Sequence, residues 1–130
     1  MHSFSGESSN SMKNQPMRKL IFIGYGALIC LLSLTQVELL HLTFIYHDKV
    51  EHFAAYSLFT LLAYFSTKSK RWAYILCIAI VIYGGILEIL QASSTGRIAS
   101  IADFIANVLG VIGGIVIIKV YRSNTSQLIR

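Results

Sequence analysis

Apolar residues fill four long stretches of this chain, residues 20–34, 50–66, 72–91 and 98–120, and polar residues gather between them. A helix that crosses a membrane needs ~20 predominantly apolar residues, with ~17–25 the usual range. The first stretch is short, but Arg18 and Lys19 can snorkel from its start and residues 35–37 can extend it. A basic start before a short apolar run also has the look of a signal peptide, and the missing small-x-small cleavage site makes it an uncleaved anchor. The pattern predicts an all-α membrane protein, a bundle of four transmembrane helices with both termini cytoplasmic. Residues 1–17, rich in Ser, Asn and Gly, are expected to form a disordered cytoplasmic tail, with Met1, Met12 and Met17 as alternative starts. Residues 18–122 form the four-span domain and residues 123–130 a cytoplasmic C-terminal tail.

Composition agrees. Of 130 residues, 55% are hydrophobic and only 13% charged, where a soluble domain carries about a quarter charged. The net charge of +5 acts first as a topology signal. Lys13, Arg18 and Lys19 precede the first stretch, Lys68, Lys70 and Arg71 separate the second and third, and Lys119, Arg122 and Arg130 end the chain. Only Lys49 and Arg97 fall on the other side of a four-span path, so the positive-inside rule puts both termini in the cytoplasm. Glu38, Asp48, Glu51, Glu88 and Asp103 lie on the outer side. No basic nucleic-acid module appears. Cys30 and Cys77 lie mid-way through apolar runs, where thiols act as small packing residues.

The exceptions to apolarity carry the chemistry. An ionisable group in hydrocarbon costs several kcal/mol unless it is paired, hydrated or useful. Asp48, His52 and Tyr56 are four apart on one helix face, with Lys49 at its edge. Glu88 and Gln91 lie near the outer end of the third stretch, and Arg97 in the short loop beyond. Asp103, Asn107, Gly110 and Gly114 form one stripe of the fourth helix. Gly110 and Gly114 make a G-x-x-x-G spacing, which reads as close helix packing. Alone, Asp48, Lys49 and Glu51 read as headgroup-level charges and His52 as an interfacial histidine. Tyr25, Tyr46, Trp72 and Tyr121 read as interface anchors, while Tyr83 is mid-span and ambiguous. Glu88 and Asp103 need a partner, and Arg97 is the expected one, either as a structural clamp or as an anion site.

His41, His47, His52, Asp48, Glu51 and Glu88 supply metal-ligand types, but His47 and His52 are five apart on different faces and no H-E-x-x-H spacing occurs. No metal site and no cofactor are expected. There is no G-x-S-x-G, Walker loop or Cys-His arrangement, and Ser93, Ser94 and Ser100 read as loop or cap residues.

The ordered set Asp48-Lys49-x-x-His52-x-x-x-Tyr56, Glu88-x-x-Gln91, Arg97 and Asp103-x-x-x-Asn107-x-x-Gly110 with Gly114 resembles the VanZ-like family of bacterial membrane proteins over residues 47–114. The family takes its name from a protein associated with resistance to the glycopeptide teicoplanin. The resemblance implies a multi-pass protein of the bacterial cytoplasmic membrane with a role in the cell envelope, and supplies no biochemical activity. The leading expectation is an outward pocket for an anionic, lipid-linked envelope component. Arg97 meets the anion, Glu88, Asp103 and Asn107 hold Arg97, and Lys49 and His52 join from the second span. Two alternatives are an intramembrane hydrolase or transferase with His52 or Glu88 as general base, and a scaffold whose polar cluster only joins helices. Membrane lipids are the expected partners, with room for a homo-oligomer. A transporter is disfavoured by the absence of an internal repeat.

The topology is directly testable. In a background lacking Cys30 and Cys77, Thr43→Cys and Ser94→Cys should react with an impermeant maleimide on intact cells or spheroplasts. Labelling at Ser69→Cys instead would overturn the orientation.

Overall fold

A computed structural model describes residues 14–35, 46–95 and 99–127. They form four helices: α1 (Gln15–Thr35), α2 (His47–Ser66), α3 (Lys70–Thr95) and α4 (Ile101–Gln127). The expected disorder of the N-terminal tail falls mostly outside the described residues. Three of the helices, α1, α3 and α4, are long and apolar enough to cross a membrane. The second does not reach that standard, because Asp48, Lys49, Glu51 and His52 open it and Ser57, Thr60 and Ser66 interrupt its apolar run. Its 20 residues still measure about 30 Å at 1.5 Å per residue.

The helix starts follow local chemistry. Pro16 lies in the first turn of α1, where its missing N–H has no intrahelical role. Ser69 precedes α3, and its hydroxyl accepts from Trp72 N–H at 3.5 Å. Ser100 caps α4: its hydroxyl accepts from Asp103 N–H at 3.1 Å. The last helix continues to Gln127, into the stretch that the sequence reads as a tail.

α2 is the hub. It packs against all three other helices, most extensively against α4. It alone supplies Tyr56, Phe59 and Ala63 to the buried core. Phe59 is surrounded by rings from two other helices, with centroids 5.0 Å from Phe22, 5.6 Å from Tyr25 and 5.9 Å from Tyr83. Tyr83 donates its hydroxyl proton to Gly26 O at 2.6 Å, and Tyr25 donates to Ala55 O at 3.2 Å. Tyr25 therefore ties α1 to α2. Tyr46, Trp72 and Tyr121 are exposed near helix ends. Cys30 and Cys77 are free thiols packed against the core.

Two glycines set how close α4 comes to α2. A Cβ at Gly110 would lie 2.5 Å from Phe53 O and 2.9 Å from Tyr56 Cβ, and one at Gly114 would lie 2.7 Å from Thr60 Cβ. The approach lets Ser57 donate its hydroxyl proton to Gly110 O at 2.9 Å. This is small-residue packing of the kind that joins helices where lipid removes the hydrophobic drive. Gly24, by contrast, has nothing within 4 Å of its missing Cβ.

Gly110→Leu should therefore force α4 off α2, at a cost of about 1–3 kcal/mol or more. The readout is folded yield and melting in mild detergent, with Gly24→Ala as a variant that should melt at or above the parent. Parental melting of Gly110→Leu would show that α4 does not rest on α2.

Candidate functional site

The N-terminal ends of α2 and α4 and the C-terminal end of α3 lie at the same end of the bundle, where Lys49 meets Asp103 and Glu88 meets Ser100. The polar residues singled out in the sequence fall on those ends. Glu88, Asp103 and Asn107 are all buried, Asn107 to 1% exposure.

Lys49 is the electrostatic centre. Its ammonium donates to Asp103 Oδ1 at 2.6 Å and also pairs with its neighbour Asp48. The Asp103 side chain is 10% exposed and that of Lys49 29%, so one partner is enclosed while the other keeps access to the surroundings. Asp48 Oδ1 is buried and has no hydrogen-bond partner among the described residues. A buried polar atom without a partner is costly.

One turn deeper, His52 Nδ1 lies 2.9 Å from Asn107 Oδ1. With the amide oxygen facing the ring, Nδ1 carries the proton and donates it, leaving the lone pair of a neutral ring on Nε2. Glu88 enters from α3, and its Oε2 accepts from Ser100 N–H at 3.3 Å. The carboxylate thus holds the residue that caps α4, next to Asp103 in the first turn, where acids suit the helix dipole. Ligand atoms of His52, Glu88 and Asp103 all lie within 4.8 Å of one another. One histidine and two carboxylates can hold a cation or move protons.

Most of the sequence-derived site thus comes together: Asp48, Lys49, His52, Glu88, Asp103 and Asn107. Gln91 serves differently. Its Nε2 donates to Ser33 O at 2.8 Å, tying α3 to the end of α1. Arg97 and His41 lie outside the described residues. Two roles escaped sequence reasoning. Ser100 caps α4, one of the two roles read for it, but its N–H bond to Glu88, which links that acid to Asp103, was not foreseen. The His52–Asp103–Glu88 convergence has no linear signal, because each residue comes from a different helix.

The VanZ/LLP1 family model matches residues 1–122, and the chain belongs to that family. No curated protein and no solved structure matches it.

The Lys49–Asp103 pair should show energetic coupling. Lys49→Met leaves Asp103 buried without its cation and should cost about 1–3 kcal/mol, below the ~3–5 kcal/mol of a fully enclosed pair because Lys49 stays 29% exposed. Asp103→Asn added to Lys49→Met should recover part of that loss, with a coupling of about 0.5–3 kcal/mol in a double-mutant cycle of detergent melting. Strict additivity would mean that the two side chains do not interact in the folded protein.

Proposed function

We propose that this protein spans the bacterial cytoplasmic membrane four times, with both termini in the cytoplasm, and binds the anionic headgroup of a lipid-linked cell-envelope component from the outer side. The observation that carries the reading is the cluster of Lys49, His52, Glu88, Asp103 and Asn107 at one end of an otherwise apolar bundle. Such groups are expensive in hydrocarbon and mark functional sites by default. The basic residues Arg18, Lys19, Lys68, Lys70, Arg71, Lys119 and Arg122 lie toward the other end, as the positive-inside rule requires of the cytoplasmic face.

On this reading α2 is the fourth span. Its polar residues are tolerated because it is wrapped by the other three helices. Lys49 offers a partly accessible ammonium to an incoming phosphate or carboxylate, and Arg97, close in sequence to Ser100, is the candidate for a planar, two-point partner. Glu88, Asp103 and Asn107 shape the floor. A second reading, hydrolysis or transfer on such a lipid, is favoured by one feature: Asn107 orients His52 so that Nε2 can act as a general base. The phenotype that tests the family's namesake role is susceptibility to the glycopeptide teicoplanin.

Arg97→Lys is the discriminating variant. It keeps the charge and loses the fork. Losing one charge-assisted hydrogen bond, ~1.5–3 kcal/mol, lowers affinity about tenfold or more. Native mass spectrometry from mild detergent should show anionic lipid on the parent protein and much less on Arg97→Lys, with folding unchanged. A lysine variant that carries lipid and supports the phenotype like the parent would leave the scaffold role in its place.

A further inference from the structure

The convergence of His52, Glu88 and Asp103 is more specific than a generic polar floor. We infer that these three side chains form a binding site for a divalent first-row metal cation, Mn²⁺ or Zn²⁺, with one imidazole nitrogen and two carboxylate oxygens as protein ligands. The inference deepens the headgroup reading and rests on it only for what fills the remaining coordination positions.

Three features beyond proximity support it. The first is the histidine. Metal-bound imidazoles almost always donate their other ring N–H to an oxygen acceptor, which fixes the tautomer and the ring plane. His52 suits that arrangement: Nδ1 lies 2.9 Å from Asn107 Oδ1, and a proton donated there leaves Nε2 for the metal. Asn107 is 1% exposed, so the acceptor itself is held by packing. The second is that both carboxylates are already oriented by donors of the outer shell. Lys49 holds Asp103 Oδ1 at 2.6 Å, and Ser100 N–H holds Glu88 Oε2 at 3.3 Å. Ligating carboxylates are characteristically hydrogen-bonded in this way. The third is the ligand set. Imidazole suits zinc and carboxylates suit manganese, and the mixture suits either.

The geometry needs a small adjustment. The three ligand atoms lie within 4.8 Å of one another, whereas neighbouring ligands on a cation with ~2.1 Å bonds stand about 3–3.5 Å apart. Closing that difference takes side-chain rotation of about an ångström, with no movement of the helices. Three protein ligands also leave coordination positions open, as in catalytic sites. An oxygen of an anionic headgroup, or a water, would complete the shell. The cation would add positive charge where a phosphate has to meet Glu88 and Asp103.

The test uses the full-length untagged protein in mild detergent, stripped with EDTA and titrated calorimetrically with MnCl₂ and, separately, ZnCl₂. The parent should bind about one ion per chain. Glu88→Gln, Asp103→Asn and His52→Ala should each weaken binding at least about tenfold, and Asn107→Ala about 10–100-fold by freeing the ring. The triple variant His52→Ala/Glu88→Gln/Asp103→Asn sets the background from the other histidines. A parent that binds neither ion more tightly than the triple variant overturns the site. If calorimetry shows Mn²⁺ bound to the parent, its electron spin-echo envelope modulation needs no variant to fold: a directly coordinated imidazole nitrogen supports the assignment, and bound Mn²⁺ without one overturns it. Lipid carried by the same preparations is scored separately. Metal binding without anionic lipid keeps the site and removes the headgroup reading, and lipid without metal binding does the reverse.

Discussion

Everything at the polar end depends on how close α2 and α4 come. Gly110 and Gly114 bring the backbone of α4 onto Phe53, Ser57 and Thr60, where even a methyl group would collide with main-chain oxygen or Cβ. That contact sets the register of the two helices. Lys49 then falls opposite Asp103, and His52 opposite Asn107. The order along the helices is layered: ion pair, imidazole–amide pair, then the Tyr56 and Phe59 core. Each layer is reachable only because the one below fixes the spacing. Side chains as short as Asn and Asp cannot bridge helices held apart by leucines.

The same packing explains why the least apolar helix is the hub. A helix carrying Asp48, Lys49, His52, Ser57, Thr60 and Ser66 suits hydrocarbon poorly. It gains partners when other helices enclose it. Ser57 finds Gly110 O on α4, while Thr60 and Ser66 bond back to carbonyls of their own helix. The outward faces of α1, α3 and α4 are left to isoleucine, leucine and valine, exposed as a lipid-facing surface would be.

Much of this was legible in the sequence, and the limits have a physical pattern. Helix-period spacing put Asp48, His52 and Tyr56 on one face and Asp103, Asn107, Gly110 and Gly114 on another, because those relations are internal to a helix. The glycine stripe announced close packing for the same reason. Relations between helices were partly open to charge logic. An acid near hydrocarbon requires a cation, and the structure gives Asp103 Lys49, while the Arg97 expected from the sequence lies outside the described residues. Neutral pairings were not legible. Nothing in the spacing of Gln91 marks the Ser33 carbonyl as its acceptor, nor that of Tyr25 the Ala55 carbonyl. The metal-ligand geometry was invisible for a stronger reason. A His from α2, a Glu from α3 and an Asp from α4 have no fixed linear spacing, so a search for ligand motifs passes over them.

Charge balance joins the two proposed roles of the site. Among the described residues the cluster holds three carboxylates, Asp48, Glu88 and Asp103, against one ammonium, Lys49, with the His52 ring bonded to Asn107. Lys49 is already engaged by two of those carboxylates. An anionic headgroup brought to such a place meets net repulsion unless positive charge comes with it. Two sources of that charge are encoded in this chain. One is Arg97, the cation that the proposed headgroup reading draws on, three residues before Ser100 in the sequence. The other is a divalent cation on His52, Glu88 and Asp103, which would turn the two buried carboxylates from an obstacle into ligands. The buried acids then have a reason to persist at a depth where a scaffold would be better served by uncharged hydrogen-bonding groups, because only carboxylates can both hold the helix ends and assemble the charge that an anion needs.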